Sequence, residues 1–195
     1  MTEVTGLILA GGRGRRMGGV DKGLEPLRGK PMAQWVLERL APQVDEVLIN
    51  ANQNTDAYGA LGCRVIGDTV GGFAGPLAGL QIGLTHARHE LVVTVPCDSP
   101  FLPRDLVARL RDALERAYAD LAVAKTGAQP HPVFCLCRRT VLPHLTAFLA
   151  GGGRKIDAWY ATLAVAEAGF DDEADAFANV NTPEELAALE ATPPA

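Results

Sequence analysis

No apolar run in the chain reaches the roughly 18 residues of a membrane span, and the opening Met1-Thr2-Glu3-Val4-Thr5-Gly6 lacks the basic stretch and apolar core of a secretory leader. Cysteine is scarce, with four residues in 195 and no CxxC pair. Cys135 and Cys137, two apart in an apolar segment, are expected on one face of a strand as small buried thiols, not zinc ligands. The four histidines (His86, His89, His131, His144) have no evident catalytic partner, and no GxSxG elbow occurs, so a nucleophilic triad is not supported. His131, in a Pro-His-Pro turn before a strand, is the one placed to touch a ligand. A net charge of −5 removes the overall basic surface of a nucleic-acid binder. What remains is a cytoplasmic globular chain, long enough for one domain with a proper core.

Against that background one segment stands out. Residues 7 to 23 pass from an apolar run into a loop, and together hold six glycines, three arginines and a lysine. Glycines let backbone N–H groups approach a ligand closely, and cations there select for negative charge. Residues 13 to 30 carry six of the 18 basic residues against only Asp21 and Glu25. A local positive patch on an acidic chain suits a small polyanion such as a phosphate ester.

Short apolar runs alternate with helical patterns, which predicts βαβ units and a mostly parallel sheet. Strands are expected at 7–10, 47–50, 64–67, 91–95, 121–124 and 133–137. Helices are expected from Pro31, over 76–88, and over 103–118, where Leu106, Leu110 and Leu114 stack on one side. Near the end, Thr182, Pro183 and Glu185 read as an N-cap, a first helical residue and the closing member of a capping box. Gly151-Gly152-Gly153-Arg154-Lys155 reads equally as a second anion loop or as a helix exit into solvent.

In open parallel sheets ligands bind beyond the carboxyl ends of the strands. Four successive predicted strands end in groups suited to ligand binding, namely the Gly-rich loop, Asn50, Asp68, and Asp98 within Pro96-Cys97-Asp98-Ser99-Pro100. One Asx ending is ordinary turn chemistry, but four on one sheet edge call for more. Asp98 follows an apolar run and is flanked by prolines, too far from the next helix to cap it. A carboxylate held this way suits Mg²⁺, which takes few carboxylates and completes its shell with substrate phosphates.

Two familiar phosphate motifs fail. The stretch Gly23 to Pro31 has five residues between its glycines and a proline after the lysine, so it is no Walker A sequence; Gly12-Arg13-Gly14-Arg15-Arg16 continues with Met17, so it is no dinucleotide fingerprint. Neither a P-loop NTPase nor a nicotinamide dehydrogenase is supported.

The residues do match a known family. Leu9-Ala10-Gly11-Gly12, Arg16-Met17-Gly18 and Asp21-Lys22 resemble the signature of nucleotidyltransferases with a Rossmann-like core. With Asn50-Ala51-Asn52, Asp68, Gly75-Pro76-Leu77-Ala78-Gly79, Pro96-Cys97-Asp98 and the closing Asn179-Val180-Asn181-Thr182-Pro183-Glu184-Glu185-Leu186, the set resembles the molybdenum cofactor guanylyltransferases.

The resemblance implies a three-layer α/β/α fold in one domain, with a nucleotide-binding half over 1–125 and a pterin-facing half over 126–190. It implies transfer of GMP from GTP to the phosphate of molybdenum-carrying molybdopterin, with release of pyrophosphate. By matching position, Leu9, Ala10, Gly11 and Gly12 contact the nucleotide, and Lys22, Asn50, Asp68 and Asp98 bind GTP, with Asp98 on Mg²⁺. Gly75, Pro76, Leu77 and Gly79 lie beside the guanine, and Asn179 and Asn181 face the pterin. Arg16, Lys22 and Asp98 form the catalytic set; because this chemistry is mostly positioning and charge stabilisation, it needs no protein nucleophile. Molybdopterin-handling proteins and molybdoenzyme chaperones are the implied protein partners. Rival readings are a cytidylyltransferase for the same pterin, whose members tend to carry alanine at the position of Gly11, a sugar-phosphate nucleotidyltransferase, and a non-catalytic nucleotide-binding regulator.

Overall fold

Strand β1 (Val4–Leu9) is central to a seven-stranded sheet, flanked by β4 (Glu46–Asn50) and β6 (Leu91–Pro96). The structure is a computed structural model and describes residues 3–10, 21–68 and 75–191. With β5 (Arg64–Ile66), β7 (Leu121–Thr126), β8 (Gln129–Arg138) and β9 (Val165–Gly169), the strand order is β5-β4-β1-β6-β8-β7-β9. The β1–β4, β1–β6, β4–β5 and β7–β9 pairs are parallel, whereas β8 is antiparallel to both its neighbours. The sheet is therefore mostly parallel, as the alternating pattern predicts. All six residues of β6 are buried, the condition of a strand covered on both faces.

Strand alternation sorts the core into two layers. Val4 and Ile8 of β1 join a cluster with Val36 and Leu40 of α1 (Met32–Leu40) and Leu106, Leu110 and Leu114 of α4 (Leu106–Arg116). Leu7 points the other way, into a cluster with Leu77, Leu80 and Leu84 of α3 (Pro76–His86) and Leu145 and Leu149 of α5 (Leu142–Ala150). Helix α4 starts three residues later than its periodicity predicts, but its buried leucines are the predicted stripe. Short helices α2 (Thr55–Gly59) and α6 (Ile156–Tyr160) complete the set before α7 (Pro183–Ala191).

Besides elements that the sequence pattern does not predict, such as β9 and the short helices α2 and α6, two local features were not expected. A small hairpin, β2 (Pro26–Leu27) with β3 (Lys30–Pro31), turns at Arg28 and Gly29, both at positive φ (51° and 77°), the backbone of a type I′ turn. Its Leu27 joins Met32 and Val180 in a third small cluster, against which Leu186 and Leu189 of α7 pack. Strand β8 is also longer than expected, because its pairing with β7 slips between Val123 and Ala124. Residues 132–134 bulge there, and the carbonyls released are taken up: Tyr160 Oη donates to Pro132 O at 2.6 Å and Thr94 Oγ1 to Val133 O at 2.6 Å.

The Gly151–Gly153 ambiguity resolves as a helix exit. Gly152 (φ 86°) donates to Leu149 O at 3.1 Å and Gly153 to Phe148 O at 3.0 Å, the paired bonds of a Schellman cap. Those N–H groups are already used, so none is left to receive an anion. Cys135 and Cys137 are buried on the same face of β8, as expected. His131 stacks on Phe177 with ring centres 4.6 Å apart and shares a 2.8 Å hydrogen bond with Thr126 Oγ1. Burial lowers its pKa.

Candidate active site

The carboxyl ends of β5, β4, β1 and β6 lie level, because Leu9 is in register with both Asn50 and Pro96, and Asn50 with Ile66. The chain therefore places Ala10, Asn50, Asp68 and Asp98 along one edge of four adjacent parallel strands. Gly11, Gly12 and Arg16, assigned to the nucleotide or to catalysis from the sequence, lie outside the described residues.

On the β4–β5 side, Asp68 is held by two asparagines. Asn50 Nδ2 donates to Asp68 Oδ1 at 2.8 Å and Asn52 Nδ2 to Asp68 Oδ2 at 2.7 Å, while Asp68 N donates back to Asn52 Oδ1 at 2.8 Å. Each carboxylate oxygen thus has a fixed donor, so the group is oriented before any ligand arrives. Asn50 is itself only 2% exposed. Gly79 of α3 passes directly beneath it: a Cβ there would collide with Asn50 Oδ1 and with Leu9. Glycine at 79 lets the helix approach the strand ends closely. Leu77 is wholly buried in the core. Of the predicted guanine-side segment, only Gly75 and Pro76 reach the surface. Gly75 has φ 69° and immediately precedes the first turn of α3, a backbone state that glycine adopts freely.

On the β6 side, Lys22 and Asp98 meet. Lys22 Nζ lies 3.3 Å from Asp98 Oδ2, and both side chains are largely withdrawn from solvent. Burial raises the Asp98 pKa from its ordinary value, with Lys22 opposing that shift by its charge and hydrogen bond. A carboxylate left partly uncompensated in this way retains affinity for a further cation. Within the described residues no group of three His, Cys, Asp or Glu side chains is arranged around a metal. The donor set suits a hard ion that draws most of its oxygens from substrate and water.

The closing Asn179-Val180-Asn181 segment returns to this same place. Lys22 Nζ donates to Asn181 Oδ1 at 2.6 Å, Val180 N to Asp98 O at 2.9 Å, and buried Ser99 Oγ to Asn179 Oδ1 at 2.7 Å. The two asparagines assigned to a pterin from the sequence are thus brought onto the Lys22–Asp98–Ser99 corner. The capping box forms as predicted, with Glu185 N donating to Thr182 Oγ1 at 3.1 Å and Thr182 N to Glu185 Oε2 at 3.2 Å. Glu185 Oε2 also accepts from Asn181 N at 2.6 Å.

Several contributors to the site carry little or no sequence signal: Asn52, Ser99, and the trio Asp21, Asn54 and Tyr58. Asn52 and Asp21 at least stand inside family motifs. Ser99, Asn54 and Tyr58 have no such mark.

A family model described as the MobA-like NTP transferase domain matches residues 6–165. The chain belongs to the MobA-like NTP transferases. Within that family it is similar to the molybdenum cofactor guanylyltransferase of Cupriavidus necator, 56% identical with 94% of each chain covered. That of Cupriavidus taiwanensis is 55% identical with 97% of each covered. Among solved structures it resembles molybdopterin-guanine dinucleotide biosynthesis protein A from Archaeoglobus fulgidus, with a TM-score of 0.77 at 27% identity, covering 95% of this chain and 96% of that one. The three-layer MobA-like core is thus common to both, and the matched region contains Lys22, Asn50, Asp68 and Asp98. This MobA-like transferase closes its site with Asn179 and Asn181, which lie beyond the matched region.

Proposed function

We propose that this transferase moves GMP from GTP onto the terminal phosphate of molybdenum-carrying molybdopterin, releasing pyrophosphate and forming the guanine dinucleotide cofactor. The observation that carries the reading is the Lys22–Asp98 pair at the carboxyl edge of the sheet, in a chain 56% identical to a guanylyltransferase of this name. The pterin phosphate oxygen bonds to the α-phosphorus as the bond from that phosphorus to the bridging oxygen of the β-phosphate breaks. Pyrophosphate carries away the electron pair. The attacking group is already an anion, so no base is needed; the obstacle is repulsion between like charges. Lys22, held by Asn181 on one side and Asp98 on the other, places a fixed cation where that charge gathers. Arg16, outside the described residues, is assigned the same role on its sequence position.

Asp98 fits Mg²⁺ by its chemistry, as a desolvated carboxylate with one cation partner, and would be its protein ligand. Bound Mg²⁺ would neutralise triphosphate charge and orient the leaving pyrophosphate. Asp68, oriented by Asn50 and Asn52, is a hydrogen-bond acceptor for nucleotide hydroxyl or amine groups. Gly75 and Pro76 border the base, while Asn179 and Asn181 bound the acceptor side. Four free cysteines, three of them buried, accord with a reducing cytoplasm.

Pyrophosphate release measured with molybdenum-carrying molybdopterin and GTP, CTP, ATP or UTP in turn tests the reading. GTP-selective release dependent on the pterin and on Mg²⁺ is expected. Preference for CTP would move the chain to the cytidylyl reaction, and pterin-independent release would remove the acceptor assignment.

A further inference from the structure

Tyr58 is wholly buried, with its ring in the core cluster and its hydroxyl directed at the Asp21 carboxylate. It donates to Asp21 Oδ1 at 2.5 Å, and Asn54 Nδ2 donates to Asp21 Oδ2 at 3.0 Å. Both oxygens of Asp21 are therefore committed to the segment around α2, and Asp21 is the residue immediately before Lys22. Burial, reinforced by nearby Cys97 and Asp21, raises the Tyr58 pKa far above its ordinary value, so the phenol remains a donor.

Gly23, on the other side of Lys22, makes room for this contact. A Cβ at 23 would collide with Tyr58 Oη and crowd Cys97. Lys22 is thus flanked by one residue tied to Tyr58 and one whose missing side chain admits it. The short turn Lys22–Leu24 is stiffened further by Leu24 N donating to Asp21 O at 3.0 Å and Glu25 N to Lys22 O at 3.2 Å. The same stretch of chain as Tyr58 carries Asn50 and Asn52, which orient Asp68. Residues 50–58 therefore touch both a nucleotide-side carboxylate and the backbone that presents the catalytic lysine.

We infer that Tyr58 and Asp21 are positioning residues that set the direction of Lys22, so that its ammonium stands between Asp98 and Asn181 before substrate binds. This role rests on the transferase reading for its kinetic consequence, but not for its structural one. Loss of the Tyr58 hydroxyl leaves Asp21 with one side-chain donor and lets the turn carrying Lys22 rotate. Preorganisation of a charge-stabilising group acts on the transition state, so the effect falls on kcat and not on nucleotide KM.

The test uses Tyr58→Phe in the full chain, in the wild-type and Lys22→Ala backgrounds. In nucleotide-free protein, acylation of the Lys22 amine by a water-soluble N-hydroxysuccinimide ester is read by peptide mass spectrometry against half-exposed Lys30, whose ion pair with Glu38 lies away from Tyr58 and Asp21. A several-fold rise in the Lys22 to Lys30 ratio is expected in Tyr58→Phe. A ratio equal to wild type overturns the inference. In kinetics, Tyr58→Phe lowers kcat about tenfold with GTP KM within about twofold, and in the Lys22→Ala background it changes kcat less than about twofold, because the two residues act as one unit. An equal loss in both backgrounds overturns the link to Lys22. Asp21→Asn, which keeps an acceptor oxygen for Tyr58, retains more activity than Asp21→Ala. It supports the same comparison if Tyr58→Phe does not fold. Should wild-type protein release no pyrophosphate from GTP, the transferase reading fails while the acylation ratio still decides the positioning.

Discussion

Lys22 Nζ donates to Asn181 Oδ1 at 2.6 Å, a shorter contact than the 3.3 Å to its charged partner Asp98. Lys22 and Asn181 are 159 positions apart, so the site is finished only when the Asn179–Asn181 segment folds back onto the turn that carries Lys22. A neutral amide oxygen binds an ammonium without cancelling its charge. Lys22 is thereby held in place yet remains available to phosphate, which a second carboxylate at the same position would prevent.

The first prediction concerns that bond. Asn181→Ala removes the closer acceptor and leaves Lys22 to collapse onto Asp98. The expected result is a fall in kcat of about tenfold, equivalent to about 1.4 kcal/mol of transition-state stabilisation. Asn181→Asp places a competing anion at the ammonium and is expected to cost more than the alanine variant. Pyrophosphate release at saturating GTP and pterin measures both.

The second concerns Asp98. Its pKa is raised chiefly by burial, against the opposing charge of Lys22. A carboxyl whose folded-state pKa lies above its unfolded value contributes stability at pH below the unfolded pKa, and that contribution is lost as pH rises through the folded pKa. Ionised Asp98 is thus a cost to folding at neutral pH. Asp98→Asn is expected to abolish transfer while leaving the melting temperature in EDTA equal to or above wild type at pH 7. That advantage should shrink as pH is lowered through the raised pKa. A variant markedly less stable at pH 7 would show that the ion pair, and not the desolvation, dominates.

The third concerns Gly79. A methyl group there overlaps Asn50 Oδ1 and Leu9, so α3 must move away from the strand ends or Asn50 must turn. Gly79→Ala is expected to cost about 1–3 kcal/mol of stability, as overpacking does. It should also raise the KM for GTP, since Asn50 releases Asp68. Gly83→Ala, whose methyl group collides with Leu7 in the core, is expected to lower stability without that rise in KM. Denaturant midpoints and nucleotide titrations separate the two.

What can be read from the chain without its fold follows from distance along the sequence. The strand ends are legible because an apolar run broken by Asn50, Asp68 or Asp98 is a local pattern, and so is the capping box of α7. The α3 glycine segment is recognisable as a motif, but its interior supports the site from below: Leu77 is core, and Gly79 is a spacer under Asn50. Tyr58 with Asp21 and Ser99 with Asn179 join residues 37 and 80 positions apart, and no period in the sequence encodes such pairs. Strand β9 is hidden for a different reason. Its buried residues, Ala166 and Ala168, are too small to write a clear strand pattern. The hairpin at Arg28-Gly29 carries arginine where asparagine or aspartate would signal the turn.

The last prediction tests whether α7 supports the site or only trails from it. Asn181 N, Thr182 N and Glu185 N are all satisfied within the capping box, and Arg28 Nη2 donates to Leu189 O at 2.8 Å from the opposite end of the helix. The helix is therefore fixed at both ends to residues that frame Lys22: the Asn179–Asn181 segment before it and the β2–β3 hairpin beside it. Thr182→Ala removes one capping bond and is expected to cost about 1 kcal/mol. Thr182→Ser retains the hydroxyl and should behave as wild type. Glu185→Ala removes the acceptor for both Asn181 N and Thr182 N, so it frees the backbone of the residue that holds Lys22. Its expected loss of kcat exceeds that of Thr182→Ala, although the two changes are matched in helix stability to within about 1 kcal/mol. Equal kinetic losses from both would mean that the helix acts only through its stability, and that Asn181 keeps its place without the box.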